Sequence, residues 1–285
     1  TGSQISKIDS LIEETKSGIK SSRELLTRRP IVIVGDKDVG KTSFIRNFIN
    51  VEAKNILNEF INLYIDLHTQ ANLEKDLRVF IPNEISRQLN ENYQINIEEQ
   101  NFLRGVYRKE LEDFPKTIRG SFRKVNPARH SEEEIEFLEE KIKNRDEHLK
   151  RSLRHIIERK NKNIVIFLDN ADQRNKEDQQ QAFLIAQQLA LDWQITIFVA
   201  IRPDVYTLAK EQGLIKDYYP TVFYIQPPPI DEVIKKRLGF ALKLTSGEIR
   251  VSSLPDNSRV KLGNLESLIK IHLNAIENQV EIKEF

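Results

Sequence analysis

The chain has 285 residues, 39% of them apolar and 31% charged, with 44 Lys and Arg against 43 Asp and Glu for a net charge of +1. That length suits one large domain or one domain with appendages, and the near-neutral balance excludes a global field drawing nucleic acid or an acidic substrate. The absence of cysteine excludes a disulfide framework, a thiolate metal site and a cysteine nucleophile.

Residues 4–28 place Ile5, Ile8, Ile12, Ile19, Leu25 and Leu26 at roughly helical spacing, which predicts an N-terminal amphipathic helix within 1–28. Ile31–Val34 is a short continuous apolar run, the mark of a strand buried on both faces. A helix carrying Phe44, Ile45, Phe48 and Ile49 follows it. Phe60–Leu67 reads as a second strand holding an acid, Asp66, near its end, and 77–91 as a helix around Ile81, Ile85 and Leu89.

Residues 96–160 change character, being charged and poor in strand pattern. Ile135, Leu138, Ile142, Leu149 and Ile156 recur at threes, fours and sevens, which predicts one long helix inside a helical insertion. Pro115, Gly120 and Pro127 break what precedes it. The strand–helix alternation then returns: a strand at Asn163–Asp169, a helix at 176–191, a strand at Ile195–Ile201, a short helix with Val205 and Leu208, and a strand at Val222–Ile225. Pro227, Pro228 and Pro229 punctuate the chain as a domain joint before a helix at Ile230–Leu244. The fold class expected is α/β, with a mostly parallel sheet. The expected organisation is an N-terminal helix over 1–28, a core over 29–226 with its insertion at about 96–160, and a helical lid over 227–285.

Three motifs carry chemistry. Gly35, Asp36, Lys37, Asp38, Val39, Gly40, Lys41 and Thr42 fit G-x-x-x-x-G-K-[ST], with Ser43 following. The glycines let successive backbone N–H groups face an anion, and the next helix adds its positive end. Lys41 is expected on the β- and γ-phosphates and the Thr42 hydroxyl on Mg²⁺. A plain glycine turn between strand and helix is the competing reading. Second, an apolar strand ends in Asp169, placed to hold the metal directly or through water. Asp172 follows three residues later, either orienting the attacking water or capping a helix. Third, Arg202 closes the next strand, where a guanidinium can stabilise transferring phosphate; an ordinary arginine before Pro203 is the alternative.

Together these motifs resemble the ASCE division of P-loop NTPases, in which a further strand lies between the loop strand and the acid strand. Within it, Gly35–Thr42, Phe167–Asp172 and Val199–Asp204 are similar to the STAND ATPases, the signalling group that includes NACHT and NB-ARC modules. The resemblance covers roughly 29–95 and 161–245. It implies ATP or ADP with Mg²⁺, a sensor role for Arg202, and Pro229 near the adenine. It also implies slow switch-like hydrolysis, self-association on activation, and a protein trigger or effector in bacterial defence or regulation. STAND proteins continue into a winged helix and a sensor array, so the lid is expected to be truncated. No Asn/Thr-Lys-x-Asp motif favours guanine. The rival readings are an AAA-type ATPase acting on nucleic acid and a nucleotide-binding scaffold with negligible turnover.

Weaker signals complete the reading. Basic residues over 104–129 interleave with Phe102, Tyr107, Phe114 and Phe122, either a nucleic-acid surface or a solvated face with its aromatics turned inward. The five histidines show no metal-ligand spacing. Trp193 is expected in the core or at an edge, and Gln179, Gln180 and Gln181 in an exposed helical turn. Asp66 is either a neighbour of the site or a strand-end cap. The longest apolar runs are far short of a membrane span, and no signal peptide is evident, so a cytoplasmic location without membrane contact is expected. The opening Thr-Gly-Ser and the lack of methionine suggest a tag remnant on a fragment.

Overall fold

A computed structural model of the chain describes residues 29–68, 76–124, 126–160, 162–193, 195–213, 220–227 and 229–245, with 248, 269, 270 and 273. The helix expected within 1–28 lies outside the described residues.

Five strands form one parallel sheet: β1 (Ile31–Val34), β2 (Ile61–Asp66), β3 (Ile164–Asp169), β4 (Thr196–Ile201) and β5 (Thr221–Tyr224). Their order is β2-β3-β4-β1-β5, and every neighbouring pair is parallel. The fold is α/β, and β4 lies between the loop strand β1 and the acid strand β3, as the ASCE resemblance implies. Continuous apolar runs in β1, β3 and β4 have the physical cause expected of them: both faces are covered.

One face packs α1 (Lys41–Asn47), a π-helical turn at Phe48–Glu52 and α2 (Lys54–Leu57) over Ile31, Ile33, Val165, Phe167, Phe198 and Ala200. The Phe167 and Phe198 rings stack at 4.7 Å between centroids. The other face packs α3 (Leu77–Tyr93), α7 (Arg145–Lys160) and α8 (Lys176–Trp193) over the alternate residues of β2, β3 and β4. Trp193 is buried there, as expected. In α3 the expected Ile81, Ile85 and Leu89 are all fully buried. The helix also protects the sheet's edge. The Gln88 side chain accepts from the Tyr64 amide at 3.1 Å and donates to its carbonyl at 2.7 Å, as a neighbouring strand would. Tyr93 does the same for the backbone of Asn62.

The insertion differs from expectation. It builds α4 (Gln100–Val106), α5 (Arg108–Asp113), 3₁₀ turns at Phe114–Lys116 and Arg119–Lys124, then α6 (Pro127–Lys143) and α7. The long helix over the heptad-like stripe is two helices, broken at Asn144. The reason is capping: Asn144 accepts the Glu147 amide on its side chain at 3.3 Å and the His148 amide on its carbonyl at 2.9 Å, opening α7. Asp146 and Glu147 complement that end. Ile135, counted in the stripe, is half exposed. Pro127 opens α6 at its first position, where its missing N–H costs nothing. Leu103, Tyr107 and Leu138 form a small separate core.

α9 (Pro203–Glu211) follows β4. By its contacts the chain divides into two units between Ile225 and Gln226. In the second, α10 (Ile230–Thr245) opens with the Val233 amide on the Pro229 carbonyl at 3.1 Å. Among the described residues no helix is long and apolar enough to cross a membrane.

Candidate functional site

The glycine loop leaves β1 at the carboxyl edge of the sheet, where ligands of open parallel sheets bind. The Gly35 amide donates to the Ile201 carbonyl at 3.2 Å, and the Ile225 amide to Val34 at 2.8 Å. A Cβ on Gly35 would lie 2.8 Å from the Val39 side chain and 3.1 Å from the Ile225 carbonyl, so only glycine fits. Gly40 holds φ at +100°, a left-handed backbone that also favours glycine. Asp38 sits at φ 61°, uncommon for a residue with a side chain. These turns curl Gly35–Gly40 into a concave loop. No side chain caps α1, and the amides of its first turn have no intrahelical acceptors.

Lys41 is buried, 4% exposed. Its ammonium donates to the Gly35 carbonyl at 2.8 Å and the Asp36 carbonyl at 2.6 Å, and pairs with Asp172 Oδ2 at 2.9 Å. Asp172 lies in a 3₁₀ turn, Ala171–Gln173. It is not the helix cap: Asn175 takes that part for α8, accepting the Asp178 amide at 2.7 Å. Arg202 donates from one terminal nitrogen to the Asp172 carbonyl, while its Nε is buried without an acceptor. Thr42 donates its hydroxyl to Asn170 Oδ1 at 3.0 Å.

Asp169 is fully buried. Its Oδ1 accepts the Asn170 amide at 2.8 Å, and its Oδ2 accepts the Tyr64 hydroxyl at 2.7 Å. Burial, then the bond to and charge of Asp169, push the Tyr64 phenol above its ordinary range; the Arg46 guanidinium acts the other way. Asp66 pairs in register with Asp169, and its Oδ1 accepts the His68 amide at 2.9 Å, so it both neighbours the site and caps the strand end.

The structure therefore gathers Lys41, Thr42, Asp169, Asp172 and Arg202 on one edge around Gly35–Gly40. Ser43 is exposed on α1, and Pro229 belongs to the second unit. Sequence reasoning missed three participants. Asn170 takes a left-handed turn, φ 59°, directly after the acid, which the Asp-Asn pair could have signalled. Tyr64 and Arg46 had no local signal, because their roles depend on β2 lying beside β3.

The residues fit a triphosphate and a magnesium ion. The loop offers a buried ammonium, an uncapped helix start and a guanidinium nitrogen lacking an acceptor, the donor set an oxyanion needs. Among the described residues no group of three or more His, Asp or Glu could hold a metal. Thr42 and Asp169 suit an ion that keeps water and phosphate oxygens as its other ligands.

Elsewhere one expectation changes, and the basic stretch takes the second of its two readings, a solvated face with aromatics turned inward. Gln179 is buried rather than in an exposed turn, donating to the Arg174 carbonyl at 3.0 Å. In the basic stretch Arg104 pairs with Glu134 at 2.5 Å, Arg108 with Glu112 at 2.9 Å, and Arg119 with Glu133, Glu136 and Glu140 at 2.8–3.1 Å. Tyr107 and Phe114 are core, which removes them as stacking platforms for bases. His148 is buried between the Ile97 carbonyl and the Tyr107 hydroxyl, 3.1 Å from each. A carbonyl only accepts, so Nε2 carries the proton and Nδ1 accepts from Tyr107.

No family model and no curated protein match the chain. Among solved structures it is similar to Cdc6p from Pyrobaculum aerophilum, at 15% identity and a TM-score of 0.44, over 82% of this chain and 48% of that one. The match thus spans about half the length of that protein.

Proposed function

We propose that this chain is an ATP-binding, slowly hydrolysing switch module of STAND type, belonging to a larger bacterial defence or regulatory protein. The observation that carries the reading is the buried Lys41 ammonium at the end of a glycine loop, paired with Asp172. Lys41 exchanges its loop carbonyls and Asp172 for the β- and γ-phosphate oxygens. Asp172, released from the ammonium, orients the attacking water. Arg202 turns its unpartnered Nε to the terminal phosphate. Thr42 and Asp169 hold magnesium, which when bound neutralises charge between the β- and γ-phosphates. The γ-phosphate biases a hinge at Pro227–Pro229. The activated state self-associates.

Calorimetry with magnesium and ATP, ADP or GTP tests the site. Binding of adenine nucleotides is expected, weakened about 100-fold, or ~2.7 kcal/mol, in Lys41→Ala. Flat titrations with every nucleotide would remove the proposal. Arg202→Ala is expected to retain binding and slow hydrolysis at least about tenfold.

A second reading, a nucleotide-held scaffold with negligible turnover, has one observation in its favour. Each buried carboxylate of the site is already bonded, Asp169 to Tyr64 and Asp172 to Lys41. Hydrolysis indistinguishable between the parent chain and Asp172→Asn would select it.

A further inference from the structure

The geometry points to Tyr64 as the positioning residue that fixes the Asp169 carboxylate for magnesium; this rests on the proposed nucleotide site. Tyr64 lies on β2, paired in register with Phe167, two residues before the Asp66–Asp169 pair. Two residues of strand rise about 6.6 Å. A phenol lying along the sheet spans that distance and still carries a donor at its tip. Phenylalanine has no donor there, and serine or threonine falls short.

The bond also sorts the site's two buried acids. The two acids have different partners at this edge. Asp172 holds Lys41. Asp169 is bonded at both oxygens, by its neighbour's amide and by Tyr64, so its carboxyl plane cannot turn toward Lys41. A buried carboxylate stripped of a donor is costly and seeks another. An acid that holds a metal through water depends on a fixed plane, because those hydrogen bonds are directional.

Tyr64 is itself held through its backbone. Gln88 of α3 clamps its backbone N–H and C=O, and the second Gln88 amide proton goes to Glu84 at 2.7 Å. The charge of Arg46 of α1 acts on its hydroxyl. A cation acting on the phenol makes its O–H a better donor to the Asp169 carboxylate. A tyrosine that only filled space would need neither partner. The relay runs from the helix that follows the glycine loop, through β2, to the acid that closes β3.

The test uses a fluorescent ATP analogue bound to the intact 285-residue chain, first in EDTA and then across a magnesium titration. Tyr64→Phe is expected to leave the EDTA affinity within about twofold and to raise the magnesium needed for half-maximal tightening about tenfold. Arg46→Met, at an exposed position, should shift it the same way by about two- to threefold. Asp169→Asn marks the ceiling. An unmoved magnesium requirement in Tyr64→Phe would overturn the inference, and a lowered one would make Tyr64 a competitor of the metal. Should Tyr64→Phe lose its cooperative unfolding transition, Arg46→Met decides: an unmoved requirement there overturns it equally. A parent chain that bound nucleotide neither in EDTA nor in magnesium would sink the nucleotide site itself, and this relay with it. Binding by the parent with no shift in the variants sinks the relay alone.

Discussion

Two regions of this molecule are dense with charge, and they use it in opposite ways. At the carboxyl edge of the sheet, Lys41, Asp169 and Asp172 are buried; Lys41 and Asp169 each have two or more partners, and the Asp172 carboxylate is paired with Lys41. Across the insertion, Arg104, Arg108, Arg119 and Arg151 pair with glutamates along helices that water reaches. Exposed pairs gain little, because water and salt already satisfy their charges. Buried pairs cannot be broken cheaply, because whichever partner remains is stranded in low dielectric. Changing one charge at the edge therefore strands another, while the insertion's ion pairs can be changed almost one at a time. The insertion's only buried ring-to-ring polar contact among the described residues, Tyr107 with His148, belongs to its core.

The contrast breaks first, if at all, at Lys41. Lys41→Ala is expected to destabilise the fold by about 3–5 kcal/mol, because Asp172 is left buried and unpaired. The double variant Lys41→Met with Asp172→Leu should recover most of that. Denaturant midpoints measure both, and a loss below about 1 kcal/mol in the single variant would place the edge in the class of surface pairs.

Leu138→Ala, in the small core of the insertion, comes next. A loss of about 2 kcal/mol is expected, at the low end for a buried leucine, because so small a cluster collapses readily. Phe167→Ala, between the stacked rings under the sheet, should cost about 3–5 kcal/mol in the same assay. Equal values would show that the insertion packs as tightly as the sheet.

A smaller effect is expected from His148. Burial pulls this imidazole below its ordinary value, while the Ile97 carbonyl and the charge of Glu98 oppose it. The folded state therefore binds the proton later than the unfolded chain. Stability is fully present above the unfolded value near 6.5 and is lost as pH falls from there toward the lower folded value. Unfolding midpoints at pH 8 and pH 5 measure the loss. His148→Asn should flatten the difference, and an unchanged slope would exclude the histidine as its source.

The smallest effect is expected at an exposed pair. Arg108→Ala removes the partner of Glu112 at 2.9 Å and should change stability by no more than about 0.5 kcal/mol. A larger loss would mean that the insertion's ion pairs carry more than surface pairs do.

The sequence by itself determined the glycine loop, the strand that feeds it, the acid that ends β3 and the arginine that ends β4. Each of these is written in a few adjacent residues: a glycine whose backbone must curl, an apolar run too short for a helix, a charge where the run stops. Parallel strands buried on both faces leave that local mark, so the fold was legible as well. The break at Asn144 was not, because the heptad-like spacing runs across it and only the capping bonds reveal it. Nor were the bonds of Lys41 to Asp172, Thr42 to Asn170 and Tyr64 to Asp169, which join residues more than a hundred positions apart. Neighbours in a parallel sheet are chosen by how the crossovers pack, and no spacing along the chain encodes that choice. Tertiary structure alone decided which acid faces the ammonium and which is held by the phenol.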